Sequence, residues 1–293
     1  MMQRLVECVP NFSEGRNPET VEQIAAAIGS VETACVLDRH LDPDHNRSVI
    51  TFVAPPERVV EAAFEGVKRA SELIDMREHE GVHPRIGATD VLPFVPIRGV
   101  TIDDCLAAVH DAARLIIREL KIPVFYYEQS ALRADRVNLE DVRRGARLQA
   151  APDEGPRRFH ESAGAIVIGA RPLLIAFNVV LRSRDVAIAY QIAQTIRASN
   201  GGLPFLKALG FPLETRNLVQ VSMNLVNYQT TGMKDAYDAV RREADALGVE
   251  IDSAEIVGLV PRDAVDRDAE YFSKLANFSE ATILENRIEN CGY

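Results

Sequence analysis

The stretch that decides the fold runs from Ala34 to Asp75: ACVLDRHLDPDHNRSVITFVAPPERVVEAAFEGVKRASELID. Ala34 to Leu37 and Ser48 to Val53 read as strands, separated by the polar run DRHLDPDHNR. From Glu57 to Asp75, residues Val60, Phe64, Val67, Ala70 and Ile74 recur at the helical period. Two successive strands followed by a helix is not the strict one-for-one alternation of a Rossmann or barrel fold.

The same grouping continues on both sides. Upstream, Arg4 to Val9 reads as a strand ending at Pro10, and Pro18 to Ile28 as a helix stopped by Gly29. Downstream, Val91 to Ile97 contains Pro93 and Pro96, which predicts an edge strand or an irregular segment. Thr101 caps a helix running to about Leu120, and Ile122 to Tyr127 follows as a strand. A polar, Arg-rich region extends from about Glu128 to Ser162, with a short helix near Leu139 to Arg144. Gly164 to Gly169 and Leu173 to Leu181 are strand-like. A second set then begins, with a helix over Asp185 to Ala198, a strand over Asn217 to Asn227, a helix over Met233 to Leu247 and a strand over Glu255 to Val260. Asp263 to Leu275 and Ser279 to Glu289 are helical in composition. Strands paired between helices predict an α+β fold, an α/β sandwich of two ferredoxin-like subdomains with mixed β-sheets. The boundary is expected near residue 180, giving subdomains 1–180 and 181–293, with no repeat visible in the sequence.

Of the 293 residues, 47% are hydrophobic and the formal net charge is −10. That acidity argues against a general nucleic-acid binder, but leaves room for a small anion in a local basic pocket. No apolar run is long enough for a membrane span, and the N-terminus has no hydrophobic segment of signal-peptide length. The four cysteines are scattered without a C-x-x-C pair, which fits neither a zinc cluster nor a disulfide framework. A cytoplasmic protein is expected. G-A-I-V-I-G-A-R (Gly164 to Arg171) has neither the spacing of a dinucleotide loop nor the lysine of a P-loop.

Three segments could carry chemistry. His79-Glu80-Gly81-Val82-His83 matches the H-E-x-x-H zinc signature. That chemistry needs both histidines on one face of an unbroken helix, yet Gly81 lies between them and Pro84 follows. The alternative makes His79 a cation at a helix C-terminus. His83 stands in E-G-V-H-P-R-I-G-A-T-D, a glycine-flanked loop with a rigid proline and Arg85 beside it. Its imidazole could move protons at neutral pH, or be an ordinary exposed histidine. Asp38 to Arg47 could ligate a metal, line a pocket or be a solvated loop. Ala151 to Gly164 holds Arg157, Arg158 and Phe159, fit for carboxylates and a flat heterocycle, or serves as a linker.

Val6 to Gly15 (VECVPNFSEG), Asp42 to Val49 (DPDHNRSV), His83 to Asp90 (HPRIGATD) and Ala151 to Pro156 (APDEGP) resemble the glutamate formiminotransferases, in the order that family shows. Gly169 to Asn178 (GARPLLIAFN), Leu218 to Leu225 (LVQVSMNL) and Val257 to Pro261 (VGLVP) extend the resemblance over essentially the whole chain. It is the likeness of the stand-alone form, without the cyclodeaminase half of the bifunctional enzymes. The resemblance implies a homodimer and a folate groove between the two subdomains. It implies transfer of a formimino group between N-formimino-L-glutamate and N5 of tetrahydrofolate in histidine degradation, with a separate cyclodeaminase as functional partner.

By the same resemblance the catalytic histidine is His83. The folate segment falls on Gly155, Pro156, Arg157, Arg158, Phe159, His160, Glu161, Ser162, Ala163 and Gly164, of which Gly155, Pro156, Phe159 and Gly164 match the family pattern. No catalytic role carries over to Asp38 to Leu41. Tetrahydrofolate is the implied co-substrate, and no metal, nucleic acid or membrane is expected. An amine attacks an amidine carbon and another amine leaves, so one imidazole can serve as base and then acid. Arg85, Arg157 and Arg158 are candidate carboxylate anchors. Two rivals remain open: formyl transfer from 5-formyltetrahydrofolate to glutamate, and a zinc hydrolase using His79 and His83. A folate-binding module without catalysis is a third.

Overall fold

A computed structural model describes residues 3–81, 84–272, 275 and 277–293. The chain divides into two compact units, Met1–Pro172 and Leu173–Tyr293. The division falls before residue 180 because the strand Ile175–Leu181 pairs on both edges with strands of the second unit.

The first unit opens with β1 (Leu5–Cys8) and β2 (Asn11–Phe12), one strand line interrupted at Val9 and Pro10. Helix α1 (Pro18–Gly29) follows, its first turn capped by the Asn17 side chain on the N–H groups of Glu19 and Thr20. β3 (Cys35–Asp42) and β4 (Arg47–Ala54) form a hairpin, and α2 (Pro56–Leu73) leads to β5 (Thr89–Arg98). β1 lies between β4 and β5 and is antiparallel to both, while β3 flanks β4. This is the ferredoxin-like βαββαβ arrangement, in which a helix always crosses between strands that are not neighbours. Helix α3 (Ile102–Leu120) begins with a capping box of Thr101 and Asp104. It feeds β6 (Val124–Tyr126) and, after α4 (Leu139–Arg147), β7 (Ile166–Ala170). β7 joins β5 in parallel, and β6 joins β7 in parallel, so this seven-stranded sheet is mixed.

The second unit runs β8 (Ile175–Leu181), α5 (Val186–Ile196), β9 (Leu206–Leu213), β10 (Leu218–Leu225), α6 (Met233–Ala246) and β11 (Ile251–Val257). Its sheet order is β11-β8-β10-β9, the same ferredoxin-like order that the first unit shows before its extension. Every neighbouring pair here is antiparallel, so the second sheet is not mixed as expected. Only the added crossover through α3 creates parallel neighbours, and the second unit has no counterpart to it. Short helices α7 (Arg262–Arg267), α8 (Ala269–Phe272) and α9 (Leu284–Asn290) close the chain.

Each unit has its own core. In the first, one sheet face packs Phe12, Phe52, Leu92 and Phe94 against α1, α2 and α3. The opposite face carries a smaller cluster of Val91, Phe125, Tyr127 and Val167 under Val142 and Ala146 of α4. In the second, Phe177, Val221 and Met223 pack against Ile192, Val240 and Phe272.

Two elements depart from the expectation. β5 is an interior strand despite its prolines, paired with β1 on one side and β7 on the other. Its prolines fall where the ladder is already irregular. Pro93 accepts from the Val9 N–H opposite the break between β1 and β2, and Pro96 lies at the register shift between Leu5 and Val6. β9 is a strand with no counterpart among the expected elements, and it carries Gly210 and Pro212, both unfavourable in an average strand. It is an edge strand, where proline is tolerated, and α5 presses so closely that a Cβ at Gly210 would lie 2.5 Å from the Tyr190 nitrogen.

Candidate active site

Backbone topology brings three of the sequence motifs together at one end of the first sheet. The β3–β4 turn is tight, since β3 extends to Asp42 and β4 starts at Arg47, so the expected long loop is a hairpin. Asn46 at its tip has a left-handed φ of 48°. Its Oδ1 accepts the Gly15 N–H at 3.0 Å, and its Nδ2 donates to the Glu80 carbonyl at 2.8 Å. The same Nδ2 lies 3.0 Å from Nδ1 of His79, while Arg85 Nη1 lies 2.6 Å from His79 Nε2. Arg85 also donates to the Gly81 carbonyl. A guanidinium can only donate, so Nε2 of His79 accepts and the ring is neutral. Burial first, and then the charge of Arg85, pull the His79 pKa below its ordinary value.

His83, the expected catalytic residue, lies with Val82 outside the described residues. His79 is described, and its surroundings overturn the zinc-hydrolase reading. α2 stops at Leu73 and a turn follows, so His79 is not on a helix, and a guanidinium covers its Nε2. For the same reasons His79 is not a helix-terminal cation.

The segment from Gly155 to Gly164 is braced against residues Ile86 to Ala88. It closes on itself through His160 N–H to the Gly164 carbonyl at 2.8 Å and the reverse bond at 2.9 Å. Ala88 N–H donates to the Ala163 carbonyl and Ala165 N–H to the Ile86 carbonyl, each at 2.9 Å. Met76 N–H reaches the Ser162 carbonyl at 2.7 Å, and Arg77 pairs with Glu161 at 3.2 Å. Gly164 has a φ of +73°, and a Cβ there would collide with the Ile86 carbonyl; a Cβ at Gly87 would strike Ala165. The two glycines let the segments touch, so Ala163 and Gly164 sit beside Ile86, Gly87 and Ala88. Arg157 and Arg158 are exposed. Phe159 is 38% exposed, with one edge on Phe125 at 6.0 Å. Asp153, in the same motif, is structural: it pairs with buried Arg136 and accepts the Tyr126 N–H at 2.9 Å.

Sequence reasoning missed several buried polar side chains of the first unit. Asp90 accepts the Ile86 N–H at 2.8 Å with one oxygen and pairs with Arg143 of α4 through the other. Arg47 bonds to Asn11, and burial, followed by the nearby charge of Arg143, lowers its pKa to about 10. Burial pushes the Tyr127 hydroxyl up, and the nearby charge of Arg171 acts in the opposite direction. Asp42 and His45 form a dyad at 2.8 Å; burial raises the Asp42 pKa, but the bonds from His45 outweigh it and the net shift is downward. Asp90 and Arg171 stood inside quoted motifs, at the ends of H-P-R-I-G-A-T-D and within G-A-R-P. Arg143 gave no signal, because an arginine in a polar helix reads as solvated.

Residues 5–171 match the family described as the formiminotransferase domain, N-terminal subdomain, and residues 176–292 match the formiminotransferase domain. The chain is 47% identical to a glutamate formimidoyltransferase of Thermoplasma acidophilum, over 97% of each chain. It is 43% identical to a glutamate formimidoyltransferase of Streptococcus pyogenes, over 98% of this chain and 99% of that one. A rat formimidoyltransferase-cyclodeaminase is 42% identical over 93% of this chain but only 53% of its own length. Matched by the two subdomain families in their order and by relatives of this identity, the chain belongs to the formiminotransferase family and is a transferase.

Proposed function

We propose that the protein transfers the formimino group between N-formimino-L-glutamate and N5 of tetrahydrofolate, giving L-glutamate and 5-formiminotetrahydrofolate, as a step of histidine degradation. The observation that carries this is the near-full-length likeness to two glutamate formimidoyltransferases. Tetrahydrofolate is the co-substrate, and the segment Gly155 to Gly164 holds it, with Phe159 offering an exposed ring for the pterin to stack on. N5 attacks the amidine carbon, and the tetrahedral intermediate collapses by breaking the bond to the glutamate nitrogen. His83 takes the proton from the attacking amine and delivers it to the leaving one. Amine exchange at an amidine carbon requires neither redox chemistry nor a metal. Orientation of the two substrates is the larger task.

A cyclodeaminase is the functional partner, supported by relatives that carry both names on one chain. The family resemblance supports a cytoplasmic homodimer. No helix among the described residues is long and apolar enough to cross a membrane. The test is a coupled assay. Formiminoglutamate and tetrahydrofolate are supplied with a cyclodeaminase, and formation of the 5,10-methenyl product is followed by absorbance. A parallel assay supplies 5-formyltetrahydrofolate and glutamate. Turnover only in the second would replace formimino transfer with formyl transfer.

A further inference from the structure

The turn that follows α2 is fastened by side chains and not by strand pairing. His79 is half-buried, and both of its ring nitrogens face donors: the Asn46 Nδ2 at 3.0 Å from Nδ1, and Arg85 Nη1 at 2.6 Å from Nε2. A neutral ring accepts at one nitrogen only, and the closer, charged guanidinium takes it. The same guanidinium donates through Nη2 to the Gly81 carbonyl. No carboxylate pairs with Arg85 among the described residues, so the imidazole and that carbonyl are what hold its head inward. Asn46 holds the next carbonyl upstream, that of Glu80, at 2.8 Å. Its Oδ1 accepts the Gly15 N–H, so the amide is oriented at both ends. Downstream of Arg85, the Ile86 N–H is fixed by Asp90 at 2.8 Å and the Gly87 carbonyl by the Ser13 hydroxyl at 2.8 Å. Gly81 shows how close the fit is. A Cβ there would lie 2.6 Å from Arg85 Nη1 and 2.6 Å from the His45 carbonyl. Val82 and His83 are outside the described residues; what the structure fixes is the chain on either side of them, and Arg85 reaches back from one side to the other.

We infer that His79 is a positioning residue for the proposed transfer: as the acceptor for Arg85 it ties Arg85 to Gly81 and so sets the chain on both sides of His83. The inference rests on the proposed function, in which the His83 imidazole moves the proton. Proton transfer needs its two partners within hydrogen-bond reach, and a misplacement of about 1 Å can cost roughly 100-fold in rate. An arginine without its acceptor is a long, flexible side chain that turns its head to water. Loss of the imidazole therefore releases the tie without removing any group that touches substrate.

The test compares His79→Leu, His79→Gln and Gly81→Ala with the wild type in the coupled assay at neutral pH. Leucine removes the acceptor, glutamine keeps a carbonyl that accepts from the guanidinium, and Gly81→Ala forces the guanidinium and the hairpin apart without altering a titratable group. Circular dichroism and thermal melting establish that each variant is folded at the assay temperature. The expected result for His79→Leu is a kcat lowered by about tenfold to 100-fold with both KM values little changed. His79→Gln restores most of the kcat, and Gly81→Ala falls as His79→Leu does. A lower melting temperature with an undiminished kcat would make His79 a brace for stability alone and overturn the inference. A raised KM with kcat retained would make Arg85 an anchor for a substrate carboxylate, and equal losses in His79→Gln and His79→Leu would place the effect in the imidazole itself; either overturns it. Should His79→Leu fail to fold, Gly81→Ala decides by the same kcat. A wild type that transfers no formimino group would overturn the proposed function and this inference with it, whereas an active wild type whose kcat survives in the variants would overturn this inference alone.

Discussion

At the scale of single residues, the site depends on a few groups whose surroundings leave little freedom. Asp90 is 2% exposed and satisfies two partners at once, the Ile86 N–H and Arg143. Asp90→Asn would keep the shape but strand a guanidinium, a loss of roughly 3–5 kcal/mol when one partner of a buried pair is removed. Chemical denaturation should show it as a lower midpoint with an unchanged slope; a midpoint like that of the wild type would mean that Arg143 finds another carboxylate. His83 poses the opposite case, a residue expected to matter for rate and not for stability. His83→Asn should lower kcat by roughly 100- to 10,000-fold, the range for a lost general acid or base, with the melting temperature and folate binding retained. Stopped-flow and steady-state assays on the folded variant decide it, and undiminished turnover removes the imidazole from the mechanism. The contrast marks what the residues alone disclose. His83 could be proposed from the sequence because its motif is continuous along the chain. The Asp90–Arg143 pair could not, because its members come from a strand and a helix far apart in the chain, and only the fold makes them neighbours.

At the scale of elements, the turn that follows α2 is tied through His79 to Arg85 by a contact that requires a neutral imidazole. His79 accepts from Arg85, and both burial and that cation depress its pKa below the ordinary 6.5. In the unfolded chain the ring titrates normally, so the stabilisation is complete above pH 6.5 and is lost as pH falls through the lower folded value. Hydrogen exchange between pH 7.5 and 5 should therefore show the backbone around Glu80 and Arg85 opening before the β-strands do. His79→Gln, which keeps an acceptor but cannot titrate, should flatten that dependence. Equal acid sensitivity in His79→Gln would place the titrating group elsewhere. Sequence patterns located most elements because amphipathic helices and alternating strands announce their period. The two exceptions share a cause. Proline in β5 and glycine with proline in β9 are penalised in an average strand, and only the bulge beside Pro96, the β1–β2 break beside Pro93 and the close packing of α5 on Gly210 make them fit.

At the scale of the whole molecule, the chain uses one βαββαβ plan twice, with the second copy left antiparallel and the first enlarged by α3, β6 and β7. The pairing of strands between helices exposed this plan in the sequence, whereas no repeat did, because a core asks only for apolar residues at the right period and not for the same ones. The enlargement holds the proposed folate segment, Gly155 to Gly164, between β6 and β7, and its helix α4 supplies Arg143 to the buried Asp90. A bare ferredoxin-like unit, such as the second, has none of these. Separate cores also make separate energetic claims. Phe177 is fully buried among second-unit residues, paired across strands with Met223 and Ile256 and edge-on to Tyr271 at 6.2 Å. Phe177→Ala should cost about 3–5 kcal/mol of local stability by opening a cavity there. Amide exchange followed strand by strand should then rise in β8, β10 and β11, while β1, β4 and β5, whose side chains fill a different cluster, keep their protection. Formimino transfer measured well below the melting temperature should hold its KM values, because every residue proposed for the site, His83 and Gly155 to Gly164, belongs to the first unit. An equal loss of protection in β5 would show that the two cores open as one cooperative body, and the loops around His79 and Gly164 would then inherit the instability of the second sheet.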